Sequence, residues 1–319
     1  MHEIIEQSIR IHADALGLEK IISITLRELG SGESNTNILA KINYDHTYVF
    51  RMPLNAQSAG RIAQEYRILG RLPAGIGPAV FYFDGSRKLC NFPYFVEEFI
   101  DGKVLARYDT AFLQRFAHTL ALLHSIKNPR ASVRGQLVEH INIKQFSDKH
   151  NEPLKNDITS VAHMKILKHL ERSSAGFFKK HQKLMNSVTS YSLTHGDLSA
   201  GNILMDNDSA RMIDWEYAGY MDNARDFAGF YYENCSYNWG KWRVRLLPEQ
   251  EKVLLHTYLK TLPDDNLLER IRVWQQIDKM SSVMYMMYKL DNFNQERATL
   301  SRPQLKEQRD MLLSAIDFA

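Results

Sequence analysis

Three oxygen-bearing side chains within residues 193–219 have the types and the spacing that a phosphate-handling site requires. Asp197 and Asn202 stand five positions apart in a glycine-containing loop, so that both side chains can face one cleft. Two short apolar runs flank the polar segment DNDS after this loop, a pattern that predicts a β-hairpin. The second strand of that hairpin would carry Asp214 back beside the loop.

The chemistry that suits these three side chains is phosphoryl transfer. This reaction needs Mg²⁺ held by hard oxygen ligands, and a carboxylate that orients and deprotonates the attacking hydroxyl. Asn202 and Asp214 are the predicted metal ligands, and Asp197 is the predicted base. Mg²⁺ is the expected cofactor because hard oxygen donors favour it, although they also tolerate Mn²⁺.

The segments HGDLSAGNIL and MIDWEYAG resemble the catalytic loop and the metal-binding motif of kinases. Because His-Gly-Asp replaces His-Arg-Asp and Asp-Trp-Glu replaces Asp-Phe-Gly, the chain is similar to the small-molecule branch: aminoglycoside phosphotransferases and choline or ethanolamine kinases. The resemblance implies ATP as co-substrate and an α+β, two-lobe, protein-kinase-like fold with a small antiparallel sheet before a mostly helical lobe. The competing interpretation is a polar hairpin in an unrelated enzyme, which the two motifs together disfavour.

Length, charge and cysteine content agree with this interpretation without deciding it. The 319 residues suffice for two lobes, and a formal charge of +3 gives no reason to expect a nucleic-acid partner. Two cysteines, Cys90 and Cys235, favour a reducing compartment. The N-terminus lacks the apolar core of a signal peptide and no apolar run approaches a membrane span, which predicts a cytoplasmic protein without membrane insertion.

The N-terminal part of the chain shows the pattern of a small sheet. Apolar residues at roughly helical spacing predict a helix over residues 1–18. Three strands are predicted next, at residues 22–29, 36–42 and 48–52. The first turn holds two glycines followed by Ser34 and Asn35, and its amides and the Ser34 hydroxyl could donate to a phosphate. In isolation the glycine pair favours an ordinary hairpin turn, but Ser-Asn at this position resembles the nucleotide loop of choline kinases.

The third strand and the helix after it supply a candidate cation and its partner. In the kinase-like layout this strand carries the residue that holds the ATP phosphates, and here that residue is Arg51, which can grip a phosphate with two donors. Residues 58–72 show a helical face, and Glu65 is the sole acidic residue there. We therefore predict that Glu65 pairs with Arg51, against the alternative of a solvated arginine at a strand edge.

Two further strands are predicted at residues 80–83 and 94–100. In a kinase-like lobe, the segment after the fifth strand pairs its backbone with adenine, and the resemblance assigns the Glu98 carbonyl and the Ile100 amide to that role. The first domain is accordingly predicted to span residues 1–101 and to bind nucleotide. The second, residues 102–319, is predicted to be the helical catalytic and acceptor-binding domain.

The resemblance also assigns residues to the support of the catalytic loop and to acceptor binding. Asp226 lies twelve positions after Asp214, where an aspartate braces the catalytic loop of choline kinases, and His195 is assigned to the same supporting role. Glu233 matches a glutamate that borders their ammonium pocket. Glu233 and Tyr237 lie in a segment rich in aromatic residues, which suits a cationic guest through cation–π contacts.

Tyr285 and Tyr288 are three apart in a strongly helical segment and share one face. Choline kinases have a tryptophan pair at this spacing that forms part of their choline-binding site. The resemblance therefore predicts that the two tyrosine rings contact the acceptor cation here, although tyrosine attracts a cation less strongly than tryptophan. The alternative is that both tyrosines fill the core among neighbouring methionines.

The sequence thus predicts an ATP-dependent phosphotransferase whose acceptor is the hydroxyl of a small cationic alcohol, choline or ethanolamine first. Aminoglycosides, thiamine or another amine-bearing alcohol are alternative acceptors, because the nucleotide half is shared by the whole superfamily. A catalytically silent nucleotide-binding scaffold is the alternative from another class. Nothing in the sequence distinguishes a monomer from a homodimer.

Overall fold

A computed structural model describes residues 1–31, 34–105, 107–127, 152, 154–188, 190–206, 209–230, 246–295 and 300–318. The chain divides into two compact units. The first comprises Met1–Val104 together with Asn202–Gly219, and the second comprises Leu105–Gly201 together with Tyr220–Ala319. The predicted domain boundary after residue 101 stays a prediction.

The first unit is built on a five-stranded antiparallel sheet. Its strands are β1 (Ile24–Ser31), β2 (Asn35–Ile42), β3 (His46–Pro53), β4 (Val80–Asp84) and β5 (Tyr94–Glu98), in the order β1-β2-β3-β5-β4. One face carries the apolar core, in which Ile38, Phe50 and Val96 are buried with Tyr94. Alternation along the strands therefore turns the intervening side chains of β3 and β5 towards the opposite face.

Helix α1 (His2–Ile11) covers the core face, and it is shorter than the predicted helix over residues 1–18. A 3-10 turn follows and ends at Gly17, which has a left-handed backbone with φ of 66°. In a continued helix Leu18 would lie opposite Ile9, because nine residues correspond to two and a half turns. The turn lets both residues join the same core cluster.

Helix α2 (Ala56–Leu69) packs on the other face of the sheet. It begins at Asn55, whose side chain accepts a hydrogen bond from the Ser58 amide at 2.9 Å, a standard N-cap. The ring of Tyr66 packs against the ring of Phe95, with centroids 5.9 Å apart. This packing fixes the helix against β5 and turns Glu65 towards β3.

A β-hairpin from the later part of the chain completes the first unit. It consists of β7 (Ile203–Asp206) paired with β8 (Ser209–Met212). In the chain, β6 (Ser192–Thr194) of the second unit precedes this hairpin, and β9 (Gly219–Met221) follows it. Lys103 and Met205 exchange two backbone hydrogen bonds of 2.9 Å. Gly102 permits this approach, because a Cβ at that position would lie 2.8 Å from the Leu204 side chain.

The second unit is mainly helical. Within its described residues the helices are α3 (Thr110–Ser125), α4 (Val161–Met185), α5 (Ala224–Phe230), α6 (Pro248–Thr261), α7 (Leu267–Asp291) and α8 (Arg302–Ser314). Asp109 caps α3 by accepting a hydrogen bond from the Phe112 amide at 2.7 Å. The predicted α+β class, with an antiparallel sheet in one unit and helices in the other, is confirmed. In the described ranges no helix combines the length and the apolar character that crossing a membrane requires.

Candidate functional site

The hairpin brings the backbones of Asn202 and Asp214 together. Ile203 stands opposite Met212 in the register, and the Asn202 carbonyl accepts a hydrogen bond from the Ile213 amide at 3.0 Å. Asp214 therefore directly follows a residue paired with Asn202. Its φ of 67° lies in the left-handed region that non-glycine residues seldom adopt, and such backbone strain is concentrated at functional sites.

Arg51 lies at the centre of a buried charge network in the first unit. Its Nε atom is 2.8 Å from Glu65 Oε1, and its Nη2 donates to Asp214 Oδ1. Only 4% of the Arg51 side chain is exposed. Burial opposes the charge on the guanidinium, but Glu65 and Asp214 outweigh that effect and hold the pKa of Arg51 above its ordinary value. The predicted pairing of Arg51 with Glu65 is present, whereas the direct contact with Asp214 was not expected.

Glu65 also positions the backbone beside Asp214. Its Oε1 atom accepts a hydrogen bond from the Trp215 amide at 3.1 Å. Through the Glu65 carboxylate, helix α2 therefore contacts both Arg51 on β3 and the turn that follows β8. Removing one member of such a network leaves an uncompensated charge in the interior, which costs about 3 to 5 kcal/mol.

Glu216 contacts both residues of the predicted nucleotide loop, Ser34 and Asn35. The Oε2 atom of Glu216 accepts a hydrogen bond from the side-chain nitrogen Nδ2 of Asn35 at 3.2 Å, and its carboxylate also accepts from the Ser34 hydroxyl. Burial and the Asp214 charge raise the pKa of Glu216. No role was predicted for Glu216 from the sequence. The available signal was its position two residues after Asp214, in the Asp-Trp-Glu motif.

Glu98 is fixed through its side chain. Its carboxylate accepts from both terminal nitrogens of Arg211, at 2.7 and 2.5 Å, and from the Ala79 amide at 3.0 Å. Arg211 also donates to the Gly77 carbonyl at 2.7 Å. The strand ends at Glu98, so Ile100, which is buried, follows β5 instead of extending it. The predicted adenine contacts of both residues stay predictions.

The second unit holds Asp197 in a loop that Asp226 braces. The Asp226 carboxylate accepts from the His195 amide at 2.7 Å, from the Gly196 amide at 2.9 Å and from His124 Nε2 at 3.1 Å. Burial alone would raise the pKa of Asp226, but these hydrogen bonds and the nearby histidines hold it below its usual value. The Asp197 amide points to His195 Nδ1 at 3.4 Å, and the Asp197 side chain is half-buried.

The acceptor-binding residues are only partly described. Glu233 and Tyr237 lie outside the described residues. The rings of Tyr285 and Tyr288 stack with centroids 6.2 Å apart, and Tyr285 also packs on a small apolar cluster. The Lys289 ammonium lies 5.2 Å from the Tyr285 ring centroid. Because the Lys289 ammonium already lies near the Tyr285 ring, a second cation on the same ring face would be repelled by its charge.

The predicted metal ligands fit Mg²⁺ by their chemistry. Asn202 and Asp214 offer amide and carboxylate oxygens, and 37% of the Asp214 side chain remains exposed. Arg51 donates to one of the two Asp214 carboxylate oxygens, Oδ1. Among the described residues there is no group of three or more His, Cys, Asp or Glu side chains that could hold a metal. Two protein ligands with water and phosphate oxygens are nevertheless a usual set for Mg²⁺.

Comparisons with known proteins identify the family and the fold. A sequence model described as "phosphotransferase enzyme family" matches residues 25–273. No curated protein matches the chain at a significant level. Among solved structures, choline kinase from Cryptosporidium parvum Iowa II is 18% identical with a TM-score of 0.63, and 97% of this chain and 93% of that chain are covered.

Two other structures are similar to the same degree. Plasmodium vivax ethanolamine kinase is 18% identical with a TM-score of 0.61, covering 92% of this chain and 82% of that one. A protein from Ralstonia eutropha JMP134 described as a putative aminoglycoside phosphotransferase is 14% identical with a TM-score of 0.63, covering 98% and 97%. At these identities the likeness establishes the kinase-like fold and leaves the acceptor open.

Proposed function

Because the chain belongs to the phosphotransferase enzyme family, we propose that it transfers the γ-phosphoryl group of ATP to the hydroxyl of a small cationic alcohol, choline or ethanolamine. The observation that supports this proposal most directly is the buried network of Arg51, Glu65 and Asp214. It joins a fixed cation to a candidate metal ligand. A nucleotide bound with a divalent ion needs a cation for its phosphates and an oxygen ligand for the metal.

In the proposed reaction the acceptor hydroxyl oxygen attacks the γ-phosphorus, the bond to the β–γ bridging oxygen breaks, and ADP leaves. Asp197 accepts the hydroxyl proton. Asn202 and Asp214 hold Mg²⁺, which when bound neutralises charge on the phosphates. Arg51 binds phosphate oxygens. Positioning and charge neutralisation, more than covalent chemistry, supply the acceleration.

In this proposal, the residues that bind the nucleotide and the residues that support the Asp197 loop have separate roles. Ser34 and Asn35 donate to the phosphates once ATP displaces Glu216, with which both residues pair. The Glu98 carbonyl and the Ile100 amide pair with adenine. Asp226 and His195 position the loop that carries Asp197, and they act without touching the substrate.

The acceptor side of the proposal rests on cation chemistry. An ammonium group is held by carboxylates and aromatic faces, which is why Glu233, Tyr237, Tyr285 and Tyr288 are its proposed contacts. Tyr288 is the stronger candidate of the tyrosine pair, because Lys289 approaches the ring of Tyr285.

Substitution of Arg51 by lysine is expected to weaken ATP binding about tenfold, the effect of losing one charge-assisted hydrogen bond. A lysine keeps the charge but cannot present two donors in one plane to Asp214 and a phosphate. Calorimetric titration with Mg-ATP would measure the change. Arg67→Lys, an exposed position on α2, is the matched control. Unchanged ATP affinity in Arg51→Lys would remove Arg51 from the phosphate site.

An assay of ADP release with choline, ethanolamine, thiamine and kanamycin tests the proposed acceptor class. We expect turnover with choline or ethanolamine to exceed turnover with the other two. Asp197→Ala, assayed on the same panel, separates transfer from background ATP hydrolysis. Preference for kanamycin would instead assign an aminoglycoside acceptor. ATP binding without ADP release on any acceptor would support the silent nucleotide-binding scaffold.

A further inference from the structure

Helix α4 carries a row of basic side chains along its exposed face. At about 100° per residue, its lysine and arginine side chains all lie within an arc of about 120°, and the row extends about 27 Å from the first to the last. All six are exposed, and together they form what we call the α4 basic face: Lys165, Lys168, Arg172, Lys179, Lys180 and Lys183. The helix therefore presents a straight line of positive charge to solvent.

The opposite face fixes the orientation of α4. Leu170 and Phe177 are buried there, seven residues apart on one side of the helix. Just before the helix begins, the Asp291 carboxylate at the end of α7 accepts hydrogen bonds from the Thr159 and Ser160 amides, both at 2.9 Å. Because the helix is held on its apolar side and at its start, the α4 basic face stays directed to solvent.

No cation of the α4 basic face forms an ion pair with an acidic side chain among the described residues. Glu171, the one acidic residue of the helix, lies 2.9 Å from the Nζ atom of Lys155, which precedes α4. The whole chain has a formal charge of +3, whereas α4 alone has +5, so the other residues sum to −2. Like charges three or four positions apart, as at Lys168 and Arg172, repel each other and destabilise a helix. An anionic partner would relieve this repulsion.

Val161 indicates the kind of anion. Its side chain is 73% exposed and lies one turn before Lys165, so it continues the α4 basic face with an apolar group. Beside a bilayer such a group enters the headgroup region, whereas a nucleic-acid backbone offers it no apolar contact. The exposed side chains of α4 include no Phe, Tyr or Trp, on which unpaired bases stack. We therefore propose that the α4 basic face docks on an anionic phospholipid bilayer, whose flat surface meets a straight row of cations along its whole length.

Cosedimentation of the full chain with lipid vesicles tests this docking. One set of vesicles would contain phosphatidylcholine alone, and the other phosphatidylcholine and phosphatidylserine in a ratio of about 2:1. We expect wild type to bind the mixed vesicles and not the neutral ones. The binding should be lost at about 0.5 M salt, because salt screens the charges on both surfaces.

A variant with three cations removed measures the contribution of the α4 basic face. Each Lys or Arg near an anionic bilayer contributes about fivefold to the binding constant. The combined substitutions Lys165→Gln, Arg172→Gln and Lys183→Gln should therefore weaken binding to the mixed vesicles about 100-fold. Glutamine has nearly the same helix propensity as lysine and arginine, so α4 should remain folded, which circular dichroism would check.

The matched control combines Lys20→Gln, Lys41→Gln and Lys260→Gln, three exposed positions outside α4, and changes the net charge by the same amount. It should bind the mixed vesicles much more tightly than the α4 variant does. Equal losses in the two variants would show that net charge alone drives binding, and would overturn the docking role of α4. Equal binding of wild type to both sets of vesicles would also overturn it.

Failure of wild type to bind the mixed vesicles would overturn the lipid partner. An RNA oligonucleotide and polyglutamate, tested in the same buffer, would then show whether the α4 basic face binds a different polyanion. None of these results bears on the proposed phosphoryl transfer, because no residue of α4 lies in the proposed site.

Discussion

Replacement of Asp197 by alanine is expected to lower the rate of phosphoryl transfer by about 10²- to 10⁴-fold, the usual contribution of a positioned general base. In the proposed reaction this carboxylate takes the proton of the attacking hydroxyl, so its loss acts on kcat. The affinity for Mg-ATP should remain close to wild type, because Ser34, Asn35 and Arg51 provide the proposed phosphate contacts. Steady-state kinetics with the best acceptor of the panel would measure kcat and KM separately.

The matched control is Asp45→Ala, which removes a carboxylate that is 72% exposed on the turn between β2 and β3. This variant should keep wild-type kcat. Thermal unfolding with and without Mg-ATP would show that Asp197→Ala is folded and binds nucleotide. Near-normal kcat in Asp197→Ala would contradict the assigned base, and a large rise in KM for ATP at unchanged kcat would place Asp197 in nucleotide binding.

Local patterns were sufficient to predict most of the elements. The alternation of apolar residues predicted β2 and β3, which are observed at Asn35–Ile42 and His46–Pro53. The DNDS turn predicted the β7–β8 hairpin in the same way. Glu65 could be assigned to Arg51 because it is the sole acidic residue on its helix, and the ion pair is present. Such inferences succeed where neighbouring residues determine the structure.

Contacts between distant segments could not be predicted from spacing. Arg211 and Glu98 are 113 positions apart, and Arg51 and Asp214 are 163 apart. Each pairing depends on how β8 lies against the sheet, which no local periodicity encodes. A signal existed for Arg211 because it is a basic residue between apolar neighbours in a strand. A buried charge of this kind requires a partner, but the sequence did not identify Glu98.

The residues proposed to bind the acceptor show a different limit. The spacing of Tyr285 and Tyr288 correctly predicted a shared helix face, and Lys289, four residues after Tyr285, follows the same periodicity, but spacing does not show whether such a face binds a ligand. Whether an aromatic pair is a ligand box depends on what else reaches it. The sequence therefore predicted the fold and the pairing of Arg51 with Glu65, whereas acceptor binding by Tyr285 and Tyr288 stays a prediction.

Replacement of Asp226 by asparagine is expected to destabilise the protein by about 3 to 5 kcal/mol at neutral pH, because it removes a buried charge whose hydrogen bonds contribute about 1.5 to 3 kcal/mol each. One carboxylate oxygen accepts from the His195 amide and from His124, the other accepts from the Gly196 amide, and the amide nitrogen of asparagine cannot replace either oxygen as an acceptor. The free energy of unfolding in urea, followed by tryptophan fluorescence, would measure the loss. A loss below 1 kcal/mol, on the order of an ordinary surface change, would contradict the bracing role.

The pH dependence of that loss distinguishes a charge effect from a packing effect. The pKa of Asp226 in the folded protein lies below its ordinary value of 3.8, so its stabilisation is present above that pH and disappears as the pH falls further. The gap between wild type and Asp226→Asn should therefore be constant from pH 5 to 7 and narrow below about pH 4.

Asp278→Asn is a control for which the expected pH dependence of stability has the opposite sign. Burial raises the pKa of Asp278 from 3.8 to about 6, so ionisation of wild type weakens the folded state as the pH rises through that range. The free energy of unfolding of this variant, relative to that of wild type, should rise as the pH rises from 4 to 6 and stay nearly constant above pH 6. If both variants gave gaps independent of pH, their effects would come from packing, and the carboxylate charge of Asp226 would not hold the Asp197 loop.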